Sequence, residues 1–282
     1  MRVVILCSSI YSETASALSV HLAATGYVPA GALALPTLNR ATLLRKLGQW
    51  GVRDVASYAR AKLIPNHGDE QPHAVNPYLQ PLLEHGTGVF RNLREVAAFY
   101  DFPVAFSKGN DQNAPESIAQ LREWSPDLII FTGGNILRKQ LLEVPRLGVL
   151  NVHLGLLPEI RGMSSPEWSL LNRVPVGVTV HFMDAGIDTG PILERYELPD
   201  PARAESLSDL RNRLIAFGVE KATDVVAGLD HGTTSASRQS SLGEDGQLED
   251  HQFFVMHEWL QAKAAERLTK SRVPAVAEPL HG

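Results

Sequence analysis

An apolar run, Val3-Val4-Ile5-Leu6-Cys7, lies within residues 2–7 and stops at Ser8-Ser9. Unbroken apolarity over so few residues, rich in β-branched side chains, predicts a strand covered on both faces. Ser12 stands where a helix cap is expected, Ala15, Leu18, His21 and Leu22 follow at helical spacing, and Gly26 supplies a stop. A second short strand is expected around Val28–Leu35. Strand, helix and strand in this order open a parallel sheet with helices packed on its faces.

The rhythm lapses between residue 36 and about residue 95. Within 40–63, Leu43, Leu44, Leu47, Val55, Tyr58 and Leu63 are interspersed with Arg40, Arg45, Lys46, Arg53, Arg60 and Lys62, and Gly48-Gln49-Trp50-Gly51 interrupts them. This amphipathic basic stretch, followed by a loop rich in Pro, Asn, His and Gly from Pro65 to Pro81, reads as a helical insert over 36–92, with a solvated basic face above an apolar stripe.

Regular signals resume with a helix at Leu93–Tyr100, a strand at 103–106, a helix at Pro115–Trp124 and the apolar strand Leu128–Phe131, which ends at Thr132-Gly133-Gly134. A helix at Arg138–Leu142, a strand at Gly148–Val152, a helical segment at 166–172 and an alternating strand at Val176–Phe182 follow. Beyond Leu198-Pro199 the pattern is helical. Ser206 is placed to cap a helix carrying Leu207, Leu210, Leu214, Phe217 and Val225 that ends near Gly228. Residues 231–250 read as a polar loop, 257–268 as a last amphipathic helix, and the stretch from about Arg272 as a frayed end. The expected fold class is α/β: a Rossmann-like, mostly parallel sheet with helices on both faces, a helical insert and a helical C-terminal extension. The expected division is a catalytic domain over 1–200 and the extension over 201–282.

Composition narrows the function classes. With 44% hydrophobic and 20% charged residues among 282, the chain has the makeup of a globular protein. A net charge of −5 and a pI near 6.1 give no global basic field, so nucleic acid is not an expected partner. No apolar run approaches the roughly 20 residues that span a bilayer, so no stable membrane insertion is expected. The apolar start is too short for a secretory signal, which makes the cytoplasm the expected location. The single cysteine, Cys7, precludes an internal disulfide and reads as a buried core residue. His67, His73 and His85, near Asp69 and Glu70, lack ligand spacing and read as part of a solvated insert, so no metal is expected.

Three strand ends carry chemistry: Thr132-Gly133-Gly134-Asn135, Asn151-Val152-His153, and Asp184-Ala185-Gly186-Ile187-Asp188. Ligands of open α/β sheets sit beyond such ends, and strand alternation puts Asn151 and His153 on one face. Attack of an amine on an acyl carbon builds a negative oxygen, which an amide donor and an imidazolium stabilise. The amine must lose a proton and the leaving nitrogen must gain one, tasks suited to a histidine and a carboxylate that tune each other. His181, alternating with apolar neighbours, reads as a hydrogen-bonded core histidine able to support the site from behind. Asp184 reads as a loop-shaping residue. Arg161 reads either as a solvated arginine or as an anion-binding one.

These motifs resemble the formyltransferase family that uses 10-formyltetrahydrofolate, over roughly 93–229. The family pattern Asn-x-His-Pro-Ser-Leu-Leu-Pro is similar to Asn151-Val152-His153-Leu154-Gly155-Leu156-Leu157-Pro158, and its Arg-Gly is similar to Arg161-Gly162. Gly177–Asp184 and the Gly186–Leu193 run match almost position for position. The resemblance implies that Asn151 holds the formyl oxygen, that His153 stabilises the oxyanion or assists proton transfer, and that Asp188 polarises His153 and relays protons. It further implies that Gly134, Asn135, Ile136 and Leu137, with Asp184, Ala185 and Gly186, hold 10-formyltetrahydrofolate, the formyl donor, without a metal.

Two departures stand out. Leu154-Gly155 replaces Pro-Ser, which loosens a turn and removes a hydroxyl, so Gly155 and Arg161 are taken as acceptor-binding positions. The glycine-rich first loop that binds a phosphate in the glycinamide ribonucleotide branch is absent, Cys7-Ser8-Ser9-Ile10-Tyr11-Ser12 standing in its place. The implied activity is N-formyl transfer to a primary amine, a nucleotide-linked amino sugar or another small biosynthetic amine, with a homodimer an admissible assembly. The alternatives are methionyl-tRNA formyl transfer, a non-catalytic folate-binding homologue and a formyl-folate hydrolase.

Overall fold

A computed structural model describes residues 1–36, 76–86, 88–239 and 252–270. Most of the expected insert, at 37–75, lies outside the described residues, as does the stretch expected to fray beyond Arg272. The chain forms two compact units, Met1–Asn151 and Val152–Gly282.

In the first unit, β1 (Val3–Cys7), α1 (Glu13–Ala24) and β2 (Gly31–Ala34) are followed by α2 (Gln80–Leu83) and the two-residue hairpin strands β3 (Glu84–His85) and β4 (Gly88–Val89). Then come α3 (Leu93–Tyr100), β5 (Val104–Phe106), α4 (Pro115–Trp124), β6 (Leu128–Phe131), α5 (Lys139–Leu142) and β7 (Gly148–His153), which runs on into the second unit. The strands pair in parallel in the order β7-β6-β1-β2-β5, with Ile5 opposite both Ala32 and Ile130, and Phe131 opposite Asn151. Every residue of β1 is fully buried, as its unbroken apolar run requires. Ser12 caps α1 by accepting from Ala15 N at 3.2 Å, and Asn92 caps α3 through Arg94 N and Glu95 N.

The second unit contains the end of β7, β8 (Arg161–Gly162), α6 (Ser165–Asn172), β9 (Gly177–Phe182), β10 (Ile192–Glu197), α7 (Leu207–Asp230), β11 (Gln252–Phe253) and α8 (Glu258–Lys270). β10 runs antiparallel to β9, and β11 runs parallel to β8. Val176, Val178, Leu198, Ala204, Leu210, Leu214 and Leu268 form the core around which α7 and α8 fold back. Ser206 caps α7, accepting from Asp209 N at 3.0 Å.

The fold is the expected α/β, Rossmann-like one, with a mostly parallel sheet and a helical C-terminal part. Three differences have physical causes. β10 is not visible as a pattern, because only Ile192 and Leu193 are buried and a register shift follows Ile192. β8 and β11 are two residues each, too short to carry a period. Within 76–92, the described part of the expected helical insert, the helical portion is the four-residue α2, and a hairpin follows it.

Candidate active site

β7 carries Asn151 and His153 two residues apart, so the pleat aims both side chains to the same side of the strand. The turn between β9 and β10 returns Asp188 with its main chain at φ 54, in the left-handed region. His153 Nδ1 lies 3.3 Å from Asp188 Oδ2. Gly162 N donates to the same Oδ2 at 2.9 Å, and at the other oxygen His181 Nε2 is 3.7 Å from Oδ1. One carboxylate thus stands between two histidines. His181 is buried, as expected, and its Nδ1 donates to Phe182 O at 2.8 Å, while its second nitrogen faces Asp188.

His153 is held on both edges. Its Nε2 is 2.7 Å from Ile160 O, which can only accept, so Nε2 carries a hydrogen. Ser165 Oγ, which donates to Gly162 O at 2.9 Å, sits 3.2 Å from the same nitrogen and shares that hydrogen. In the neutral ring this tautomer leaves the Nδ1 lone pair facing the Asp188 carboxylate, so a proton at Nδ1 would sit between the two groups.

The turn after His153 is tight, contrary to the loosening expected from Leu154-Gly155. A Cβ on Gly155 would stand 3.0 Å from both His153 Nε2 and Ser165 Cβ, and 3.2 Å from Ile160 O. Thr179 Oγ1 donates to Gly155 O at 2.8 Å and accepts from Leu157 N at 3.0 Å, fixing both ends of the turn. Ser165, from the first turn of α6, brings a hydroxyl to 3.2 Å from His153 Nε2. Gly155→Ser, which restores the family residue, is therefore expected to lower stability by about 1–3 kcal/mol through overpacking. Denaturant titration measures this, and a neutral or stabilising result would contradict the packing argument.

Burial pulls His153 below the ordinary 6.5, opposed by the Asp188 charge and by the Ile160 carbonyl. Burial lowers His181 as well, with Asp188 again the chief opposing group. A histidine with a lowered folded-state pKa binds fewer protons than in the unfolded chain. The stability it contributes is complete above about pH 6.5 and is lost as pH falls through the lowered folded value. The melting temperature is expected to fall on acidification from pH 7 toward 5, and less steeply in His181→Asn. Equal slopes in the two proteins would remove His181 from this linkage.

In the first unit the loop 133–138 is built from behind by two amide side chains, Gln112 and Asn113, that no motif in the sequence marks. Gln112 N donates to Asn135 Oδ1 at 2.9 Å, and Asn135 N donates to Gln112 Oε1 at 3.0 Å. Asn113 Nδ2 donates to Ile136 O at 3.0 Å, and Asn113 Oδ1 accepts from Arg138 N at 2.7 Å. Gln112 is fully buried, while Gly134 is exposed and Ile136 is 88% exposed. A run so rich in amides (Asn110-Asp111-Gln112-Asn113) is the signal that could have marked them. In the second unit Asp184 Oδ1 accepts from Gly186 N at 3.0 Å and Thr189 Oγ1 at 2.6 Å, the loop-shaping role expected of it. Ala185 and Ile187 are exposed on that turn.

Each of these two loops is held by side-chain amides or a carboxylate and carries an exposed isoleucine, Ile136 in the first unit and Ile187 in the second. Arg161 is 5% exposed, which removes the solvated reading, and its guanidinium meets Gln239 Oε1 at 3.0 Å. Leu137 is buried, and His67 and His73 lie outside the described residues.

A family model described as formyl transferase matches residues 84–226, just over half of the chain. The methionyl-tRNA formyltransferase of Geobacter metallireducens is 40% identical over 131 residues, 45% of this chain and 41% of that protein. That of Koribacter versatilis is 32% identical over 186 residues, 61% of this chain and 59% of that protein. The chain spans about half the length of the curated relatives it matches. Among solved structures, glycinamide ribonucleotide transformylase 1 from Symbiobacterium toebii aligns with a TM-score of 0.54 at 16% identity, over 85% of this chain and 95% of that one. A sugar N-formyltransferase from a Shewanella species aligns with a TM-score of 0.53 at 14% identity, over 95% and 87%. At such identities the likeness is one of fold.

Proposed function

Because the chain belongs to the formyl transferase family, we propose that it is a 10-formyltetrahydrofolate-dependent N-formyltransferase acting on a primary amine of a small molecule. A nucleotide-linked amino sugar or another biosynthetic amine is the acceptor class we favour, and the cytoplasm is the location that goes with it. The observation that carries this reading is the contact of His153 Nδ1 with Asp188 Oδ2 at 3.3 Å, with Asn151 on the same side of the same strand.

The donor, when bound, supplies an activated formyl carbon on a nitrogen that can leave. Gly134, Asn135, Ile136 and Leu137, with Asp184, Ala185 and Gly186, are the residues we assign to holding its ring by main-chain groups and apolar contact. The Asn151 amide donates to the formyl oxygen as negative charge collects there, and in a site shielded from water such a donor is worth more than in bulk solvent. Asp188, the more exposed member of its pair (14% against 7%), takes the proton of the attacking amine, directly or through a water. His153 receives it at Nδ1. One carbon–nitrogen bond forms to the acceptor, the bond to the donor nitrogen breaks, and the proton is returned to that nitrogen. We assign the chemistry to residues 1–200, with Gly155 and Arg161 at the acceptor side, and 201–282 as the extension.

A second reading, methionyl-tRNA formyl transfer, is favoured by the names of the curated relatives. Against it stand the net charge of −5 and a C-terminal part that is helical at Leu207–Asp230 and Glu258–Lys270. The test is release of tetrahydrofolate by the purified full chain, offered 10-formyltetrahydrofolate with nucleotide-linked amino sugars, small amines or methionyl-tRNA. We expect release that depends on a small amine. Release with methionyl-tRNA alone, falling steeply with salt as phosphate contacts dictate, would establish the second reading. Release with no acceptor in the panel would overturn both.

A further inference from the structure

Gln239 closes a ring of contacts around Asp188. Its Nε2 donates to Asp188 O at 2.9 Å and to Gly190 O at 2.7 Å, across 51 and 49 residues of chain. Its Oε1 accepts from Arg161 Nε at 3.3 Å and from an Arg161 terminal nitrogen at 3.0 Å. Arg161 begins β8, and the next residue, Gly162, donates its N–H to Asp188 Oδ2 at 2.9 Å. The ring runs from the main chain of Asp188 through Gln239, Arg161 and Gly162 back to the Asp188 carboxylate. Two residues before Gln239, Ser237 exchanges main-chain hydrogen bonds with Ile192 at 2.8 and 2.7 Å, which seats the segment beside the turn.

The turn needs such a hold. Asp188 sits at φ 54, a conformation that costs a non-glycine residue about 1 kcal/mol and persists only where the surroundings over-determine it. Gly162 fixes the carboxylate from one side, but a side chain cannot stay in place if the main chain behind it relaxes. Gln239 satisfies both carbonyls that flank Thr189 with the two hydrogens of one amide, and Arg161 fixes which way that amide faces.

We propose that Gln239, backed by Arg161, is a positioning residue that holds the 188–190 turn so that the Asp188 carboxylate stays on His153. The kinetic arm of this proposal rests on the formyl-transfer reading; the geometric arm does not. The groups facing His153 are Asp188 from the turn, His181 from β9, Ser165 from α6 and the Ile160 carbonyl, with Asp184 adding its charge near His181.

The test uses the full chain with Gln239→Met, which keeps the stem length and removes both donors. Loss of alignment by an ångström is worth about 100-fold in rate, so kcat is expected to fall about 10- to 100-fold, with KM for donor and acceptor within about threefold. The imidazole titration of His153, followed by NMR, is expected to move to lower pH as the opposing Asp188 charge withdraws. Gln239→Asn, which keeps both amide hydrogens on a shorter stem, is expected to recover part of kcat and of the titration.

A folded Gln239→Met with wild-type kcat and an unshifted His153 titration would overturn the proposal. So would a kcat loss matched by the unfolded fraction, with the titration unchanged. Should the Met variant not fold, the Asn variant decides by the same two readouts. If the wild-type chain turns over no acceptor, the functional reading falls, while the His153 titration still decides the role of Gln239.

Discussion

Asp188→Asn is expected to slow formyl transfer by about 10²- to 10⁴-fold, the range that follows removal of a general base or of the carboxylate that orients a histidine. The change is nearly isosteric. An amide oxygen still accepts from Gly162 N, and Gln239 still holds the carbonyls of residues 188 and 190. What disappears is the charge between His153 and His181, at 3.3 and 3.7 Å. Burial then acts on both rings without its main opponent, so both are expected to titrate at lower pH than in the parent protein. The measurement is kcat/KM against pH for the parent and Asp188→Asn, with circular dichroism to establish equal folding. A loss smaller than about tenfold at every pH would sink the assignment of Asp188 as the proton acceptor.

Gly134→Ala is expected to cost about 2–4 kcal/mol of stability, combining backbone strain with a broken buried amide pair. Gly134 has φ 147, and a Cβ there would overlap the side-chain amide of Gln112. Gln112 has nowhere to go. It is fully buried, it exchanges two hydrogen bonds with Asn135, and its Nε2 also donates to Cys7 O at 3.2 Å. Displacing it frees the main chain of 133–138, the segment we assign to the folate ring, so donor affinity should fall along with the melting temperature. Thermal denaturation and fluorescence titration with tetrahydrofolate test the two parts separately. Unchanged affinity in a destabilised but folded variant would separate this loop from the donor site.

What is legible in the sequence is local. β1 and β6 are continuous apolar runs between polar stops, and burial on both faces is what such runs require. Ser12 and Ser206 cap their helices because a hydroxyl next to a helical period satisfies an orphan N–H nearby. Asn151 and His153 share a face because alternation is a property of any strand. Even Asp184 could be read as a loop residue, since its two partners, Gly186 and Thr189, lie within five residues.

The remainder depended on distance in space. β10 is an edge strand whose outward residues, Glu194 and Arg195, obey solvent and carry no apolar period. Gly155 reads as a slack turn until Ser165 and Ile160 are seen packed against it. His181 is legible as a support for the site but not as a partner of Asp188, Ser165 carries no signal of its place beside His153, and Gln239 lies in a polar stretch that reads only as loop.

The sequence by itself determined most of the strands and helices, that the sheet is mostly parallel, and the motif that singles out Asn151, His153 and Asp188. These follow from period, capping and motif, all properties of residues close together in the chain. Tertiary structure alone decided that Asp188 stands between two histidines, that Ser165 faces His153, and that Gln239 holds the turn from 49 and 51 residues away. Those contacts are set by strand register and by left-handed turn residues such as Asp188, and no local pattern records where a turn will aim the side chain it carries.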